Sequence, residues 1–335
     1  MDGHLFLSVY AHIGALASAY RIIRRHDQAM ALWRLDGDRL TLVRYWEFER
    51  LTGIKGHGLS FPDAQAAWAF IAGLLAEEGV RVEDIRDVVG TPGLATPDDR
   101  SGAAASSGFA YHSLCHLYTG LFVDSSLFHN GKILCLALDA GPDHVLDPEA
   151  WSKSHYLGAF SDRGTMTVFP VPSPGLLWAL LRERTGLAEG TLMALGSAST
   201  AVAMLDVRPP PAILSLRDRY AAHHWLNSLA DRVEGLGEAD EGDRIQHRDA
   251  RFTLAEDRIA MLVKIVQAAS ASMVVETVAQ ALDRFAADPA DVHLSMVGGF
   301  ALNCPTNAHL MRTFGFKGFV APPAVNDSGM ALGIG

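Results

Sequence analysis

Cysteine is scarce in this chain, a basic leader and long uncharged apolar runs are missing, and basic side chains are outnumbered by acidic ones. Cys115, Cys135 and Cys304 are the only thiols, and no two form a CxxC pair. That argues against a disulfide framework and suits reduced thiols in a cytosolic protein. Met1-Asp2-Gly3-His4 offers neither the basic start nor the cleavage site of a signal peptide. No uncharged run approaches the length of a membrane span, so a soluble cytoplasmic protein without a membrane partner is expected. Lysine and arginine total 28 against 38 acidic residues, a net charge of −10. A nucleic-acid partner gripped by a broad basic surface is therefore disfavoured.

What is present is core. The 335 residues are 49% hydrophobic, enough for two lobes. Residues 5–10, 28–35 and 40–46 read as three antiparallel strands, the last two joined by the hairpin turn Asp36-Gly37-Asp38. A turn of small residues follows the first strand, unlike a Rossmann opening, where a helix does. Residues 47–58 read as a glycine-threaded loop, and 62–78 as a helix opened by Pro62 and Asp63. A buried strand is expected over 85–89, and a mobile connection over 94–107. A helix over 109–122 and a buried strand over 132–138 follow. Residues 158–172 supply two further strands, and 176–184 a helix. Residues 231–249 read as an exposed loop, and 252–285 as helix broken near 268–272. A strand over 292–297 precedes a helix starting near Pro305. The order strand–strand–strand–helix–strand–helix allows an internal duplication.

Several stretches carry chemistry. His112 and His116 lie four apart on the expected helix, one turn from each other, so both imidazoles can reach one cation. An ordinary surface or half-buried pair is the plainer alternative. Asp139 stands at the carboxyl end of a strand and is followed by Ala140-Gly141, a position where phosphate-bound metals are held. It could equally cap a turn. Gly298-Gly299, between strand and helix, would let a nucleotide lie against the backbone. Asp327, between Asn326 and Ser328 after two prolines, is a candidate third metal ligand. Lys55 and His57, among glycines, could face an anion.

Taken together these motifs resemble the O-carbamoyltransferases of antibiotic and nodulation-factor biosynthesis, in their threonylcarbamoyl-transfer-protein-like N-terminal domain. The matching stretches are Glu49-Arg50-Leu51-Thr52 with Lys55 and His57, His112-Ser113-Leu114-Cys115-His116, and Leu138-Asp139-Ala140-Gly141. Gly190 to Gly196, Gly298 to Asn303, and Pro322 to Gly329 complete the series, in the family's order over nearly the whole chain. The resemblance implies an α/β chain with the actin/hexokinase-type ATPase fold, two lobes each with a mixed five-stranded sheet flanked by helices. Lobe I would span about 1–130 and lobe II about 131–335. His112, His116 and Asp327, with Asp139 beside them, would hold a divalent metal, Fe²⁺ foremost and Mn²⁺ or Zn²⁺ as alternatives. Gly298, Gly299 and Asn303 would line the adenosine of ATP, ADP or carbamoyl-adenylate, with Gly141, Asn326 and Asp139 also at the nucleotide. His12 would be the general base and Lys55 the neutraliser of phosphate or oxyanion charge.

The implied reaction moves a carbamoyl group, derived from carbamoyl phosphate and ATP, from carbamoyl-adenylate to a hydroxyl of a small natural product. Family members carry a second His where Ser113 stands and a Lys where Thr191 stands. They also continue past residues 326–329 into a carbamoyl-adenylate-forming domain that this sequence does not reach. That activity is expected from a partner in cis or in trans, and a homodimer is allowed. Three other readings stay open: a nucleotide- and metal-holding module without turnover, threonylcarbamoyl transfer to tRNA, and sugar-kinase-like phosphoryl transfer. The net charge weighs against the second, and two histidines converging on a metal weigh against the third.

Overall fold

The computed structural model describes residues 3–94 and 108–335, so most of the expected connection over 94–107 lies outside the described residues. The chain opens with β1 (His4–Tyr10), a short α1 (Ala15–Ala19), β2 (Ala29–Asp36) and β3 (Arg39–Glu47). These three strands run antiparallel, Asp36 pairing with Arg39 across the hairpin. The five-residue α1 occupies the turn that was expected to hold no helix. Within the expected loop over 47–58, residues 48–52 form α2 (Phe48–Thr52), closed by Gly53 at φ 69°. Then come α3 (Ala64–Glu77), capped by the Asp63 carboxylate on the Ala66 amide, and β4 (Ile85–Val89). β4 lies parallel to β1 at an outer position, and only Val88 of it is buried, so it is an edge strand rather than a buried one.

α4 (Tyr111–Phe122) and α5 (Ser125–Asn130) lead into β5 (Lys132–Ala137), β6 (Leu157–Asp162) and β7 (Thr165–Pro170). Further along come α6 (Gly175–Thr185), α7 (Glu189–Ala198), the short β8 (Val202–Ala203), α8 (Arg219–Glu234) and β9 (Ile245–Gln246). The chain ends with α9 (Leu254–Arg284), β10 (Val292–Val297), α10 (Cys304–Phe314), β11 (Gly318–Val320) and α11 (Met330–Ile334). The last turn of α8 runs into the expected loop over 231–249.

The two large sheets are ordered β3-β2-β1-β4 and β11-β10-β5-β6-β7. In each, an antiparallel three-strand meander is extended by parallel pairing on its first strand. The two large sheets thus share one strand pattern, and the fold is α/β with mixed sheets flanked by helices, as expected. One detail differs: the first sheet has four strands among the described residues, the second five.

α9 is one continuous 31-residue helix, not two. The stretch over 268–272 that was expected to break it is Ala-Ser-rich, and these small residues let neighbours approach without interrupting the backbone ladder. Trp178 Nε1, for one, donates to Ser270 Oγ at 3.1 Å. By length and hydropathy alone α9 could cross a membrane. Here Met261, Val263, Val266, Val274 and Val278 instead join the core shared with α6 and α8.

α4 sits between the two large sheets. Its Leu114, Leu117 and Leu121 pack on the second sheet through Ile133, Cys135 and Val297. Its opposite face, at Cys115, meets Tyr10, Ala29 and Ala31 of the first sheet and Met330 of α11. α11 returns to the first sheet, where Ser8 Oγ donates to the Ala331 carbonyl at 2.5 Å. The helix with the two histidines is thus packed against both halves, and the last residues close over it.

Candidate metal centre and adjoining cavities

His112 and His116 are buried on α4, 3% and 1% exposed. No side chain of the helix's own cap satisfies its start; the Tyr111 amide donates instead to Asp147 Oδ2 at 3.1 Å, from the loop after β5. That bond fixes the first turn, and with it His112. Four-residue spacing brings the two Nε2 atoms to 3.1 Å of each other. Asp139 follows β5, where the strand ends, and its Oδ2 lies 3.2 Å from His112 Nε2. Its other oxygen accepts from the Gly299 amide at 3.1 Å, which joins the glycine turn to the cluster. Asp327 Oδ1 lies 3.6 Å from His112 Nε2 and 3.4 Å from His116 Nε2. One donor atom from each of His112, His116, Asp139 and Asp327 falls within 4.8 Å of all the others. Residues far apart in the chain converge because Tyr45 and Thr119 hold the carbonyls of Ser328 and Gly329, at 2.9 and 2.8 Å.

Charge in the cluster is mutually adjusted. Burial drives the His112 imidazole down, but the Asp327 and Asp139 carboxylates outweigh it and hold the ring above its ordinary value. Burial likewise penalises both carboxylates, and the neighbouring imidazoles overcome this, so both stay below the usual carboxylate range. Two residues not picked out in the sequence join them. Tyr10 donates its hydroxyl to Asp327 Oδ2 at 3.0 Å, and His26 Nε2 sits 3.7 Å from the same oxygen. The Asp327 charge, with the Asp27 hydrogen bond, raises His26 to about 10.

A divalent metal fits this donor set. Two imidazole nitrogens and two carboxylate oxygens suit Fe²⁺, Mn²⁺ or Zn²⁺ better than the all-oxygen shell that Mg²⁺ prefers. Nδ1 of both His112 and His116 is buried without a hydrogen-bond partner among the described residues. The two Nε2 atoms face each other and both carboxylates, so a cation shared among them would meet all four donors at once.

The remaining sequence-picked residues fall in three places. His12 is half-buried, its Nδ1 2.9 Å from Ser60 Oγ, which leaves Nε2 to the other side of the ring. Burial, then Arg25 and Arg24, lower its pKa, so the ring is neutral near pH 7. It lines a cavity of about 610 Å³ between residues 12–17 with Arg24 and residues 142–145. Gly298 sits at φ 86°, and a β-carbon there would strike the Leu138 carbonyl, so the strand-to-helix turn requires glycine. Gly141 packs near Leu216, and Asn326 Oδ1 accepts from Ser328 Oγ at 2.8 Å.

Asn303 is buried and spoken for: it caps α10 at the Thr306 amide and exchanges two hydrogen bonds with Gln267. It is Gln267 that lines a second cavity of about 290 Å³, with Gly196, Ser197, Lys264, Pro305 and His309. Lys55 is not brought to the cluster. Its exposed ammonium pairs with Glu49 at 3.0 Å. His57 is buried against Phe48, its Nδ1 2.9 Å from Thr52 Oγ1, a structural setting.

Residues 241–335 match the family described as carbamoyltransferase N-terminus. That stretch holds the Gly298-Gly299 turn and Asp327, but neither histidine of the cluster. Among curated proteins none matches the chain. Similar solved structures include component A of the (R)-2-hydroxyglutaryl-CoA dehydratase of Acidaminococcus fermentans, at 14% identity and TM-score 0.46, covering 99% of this chain and 96% of that one. The activator of the 2-hydroxyisocaproyl-CoA dehydratase of Clostridium difficile, with bound ADPNP, has 12% identity and TM-score 0.46, covering 98% and 92%. HypF of T. kodakarensis has 10% identity and TM-score 0.48; this chain is covered over 99% and spans 47% of that protein. What those proteins bind stays theirs at likenesses of this level.

Proposed function

We propose that the chain is the transfer half of an O-carbamoyltransferase, moving a carbamoyl group from carbamoyl-adenylate to a hydroxyl of a small secondary metabolite. The observation that carries this reading is the convergence of His112, His116, Asp139 and Asp327 near the junction of the two sheets. The match of residues 241–335 supports it from an independent side. His112, His116, Asp139 and Asp327 would hold the divalent metal, which when bound would anchor the donor's phosphate and draw charge from it. The second cavity, between α7, α9 and α10, is of a size suited to the nucleoside. Carbamoyl phosphate and ATP would be converted to the adenylate by a domain or partner outside this chain, in the cytoplasm.

Within the chain His12 does the proton work. Its neutral ring accepts the proton of the acceptor hydroxyl at Nε2, while Ser60 holds Nδ1. The acceptor oxygen forms a bond to the carbamoyl carbon as the bond from that carbon to the adenylate's phosphate oxygen breaks, and AMP leaves. The engagement of Lys55 with Glu49 favours one second reading, a metal- and nucleotide-holding module that does not turn over alone.

Metal-replete protein incubated with synthetic carbamoyl-adenylate and an alcohol separates the two. The transfer reading expects a product heavier by one carbamoyl group, lost in His12→Ala. Tight nucleotide and metal binding with no product under any acceptor would favour the module instead.

A further inference from the structure

The cavity beside His12 is walled by both halves of the chain. Ile13, Leu16 and Ala17 face it from the first half, and Pro142 and Val145 from the second. His144 lines it too, its ring held parallel to Trp151 at 4.7 Å between centroids. At about 610 Å³ it lies within the range of small-molecule sites.

Its charge is one-sided. Asp143 is the only carboxylate in the lining among the described residues, and it is fully engaged. Arg25 Nε and Nη2 both donate to its Oδ2, at 2.9 and 2.6 Å, and the Val145 amide donates to its Oδ1 at 2.8 Å. The Arg25 side chain is itself wholly buried, so that pair is closed to ligands. Arg24 is exposed, lines the same cavity and has no ion pair among the described residues. A cationic acceptor would meet Arg24 with no carboxylate to answer it. An apolar body with a negative group would satisfy both the walls and the guanidinium.

We propose that the acceptor of this cavity is an apolar hydroxylated acid, its hydroxyl toward His12 and its anionic group toward Arg24. The idea rests on the carbamoyl-transfer reading for the word acceptor, and on the cavity alone for the preference.

Three matched aromatic alcohols test it: 4-(hydroxymethyl)benzoate, its neutral amide, and 4-(hydroxymethyl)benzylamine, titrated calorimetrically into the full chain. The carboxylate should bind tightest and the ammonium weakest, about tenfold or more apart, the span one charge-assisted contact supplies. Arg24→Glu should invert that order. Equal or tighter binding of the ammonium compound, no binding of any of the three, or an order untouched by Arg24→Glu would each overturn the proposal. The same alcohols with synthetic carbamoyl-adenylate keep the two claims apart. Carboxylate preference without any carbamoyl gain counts against the transfer reading alone, and carbamoylation led by the ammonium compound counts against this proposal alone.

Discussion

Tyr10 and Asp327 meet across 317 positions of sequence, and a single hydroxyl links them. If Asp327 ligates a metal as proposed, Tyr10 holds that carboxylate from outside, and the loss of such a partner costs metal affinity about 10–100-fold. Tyr10→Phe should therefore weaken metal binding by about that factor, measured by competition with a chelating dye, while circular dichroism stays unchanged. The thiols divide just as sharply. Burial pushes Cys115 and Cys135 up to about 12, whereas Cys304 is exposed. One thiol per native chain should react with a disulfide reagent at pH 8, and three after denaturation. His155 gives a pH dependence. Burial lowers the pKa of its ring against the pull of the Ala150 carbonyl, 2.8 Å from Nε2, and the Leu216 amide donates to Nδ1, which must stay unprotonated to accept. Below the ordinary value of 6.5 the unfolded chain binds the extra proton more readily. This stabilisation is whole above that pH and is lost as pH falls through the lowered folded value. His155→Phe should cost about 1–3 kcal/mol at pH 8 and flatten the acid decline of Tm.

At the scale of elements, α4 shows what close approach demands. A β-carbon on Gly120 would lie 2.8 Å from Cys135 Sγ and 2.9 Å from both Ser295 Oγ and Val297 Cγ1. Gly120→Val should destabilise by about 1–3 kcal/mol or more through overpacking, seen as a shifted denaturant midpoint. Legibility also divides by element. Short apolar runs and the Asp-Gly hairpin gave away the first meander, and strand ends gave away Asp139 and the Gly298-Gly299 turn. Helical spacing put the histidine pair on one face, and only Asp139 and Asp327 beside it distinguish it from an ordinary pair. Residues 21–27 were opaque although they supply Arg25 and His26. They run between Arg21 and Asp27, both at φ 53°, a left-handed conformation that an arginine does not announce. Asn303 was read for its motif, but its side chain is spent on capping α10 and on Gln267, a partner set only by the packing of α9 against α10. Lys55 was read for its charge, and Glu49, six residues earlier, claims it.

The described residues form two large mixed sheets with α4 between them, closed by α11 and by the buried Arg25–Asp143 ion pair. Arg25 joins the ends of β1 and β4, through the carbonyls of Ala11 and Gly90, to Asp143 beyond β5. Removing one partner of such a pair leaves a buried charge unanswered. Asp143→Asn should lower stability by about 3–5 kcal/mol in urea unfolding, more than any exposed pair such as Arg81–Asp84. The cluster depends on this closure, since its residues come from α4, from the end of β5 and from the segment before α11. Metal content is the most direct measurement of the central claim. The chain, loaded with Fe²⁺ or Zn²⁺ and desalted, should retain about one ion, and His112→Ala should retain almost none while keeping its circular dichroism spectrum. Full metal content in a folded His112→Ala protein would contradict the account.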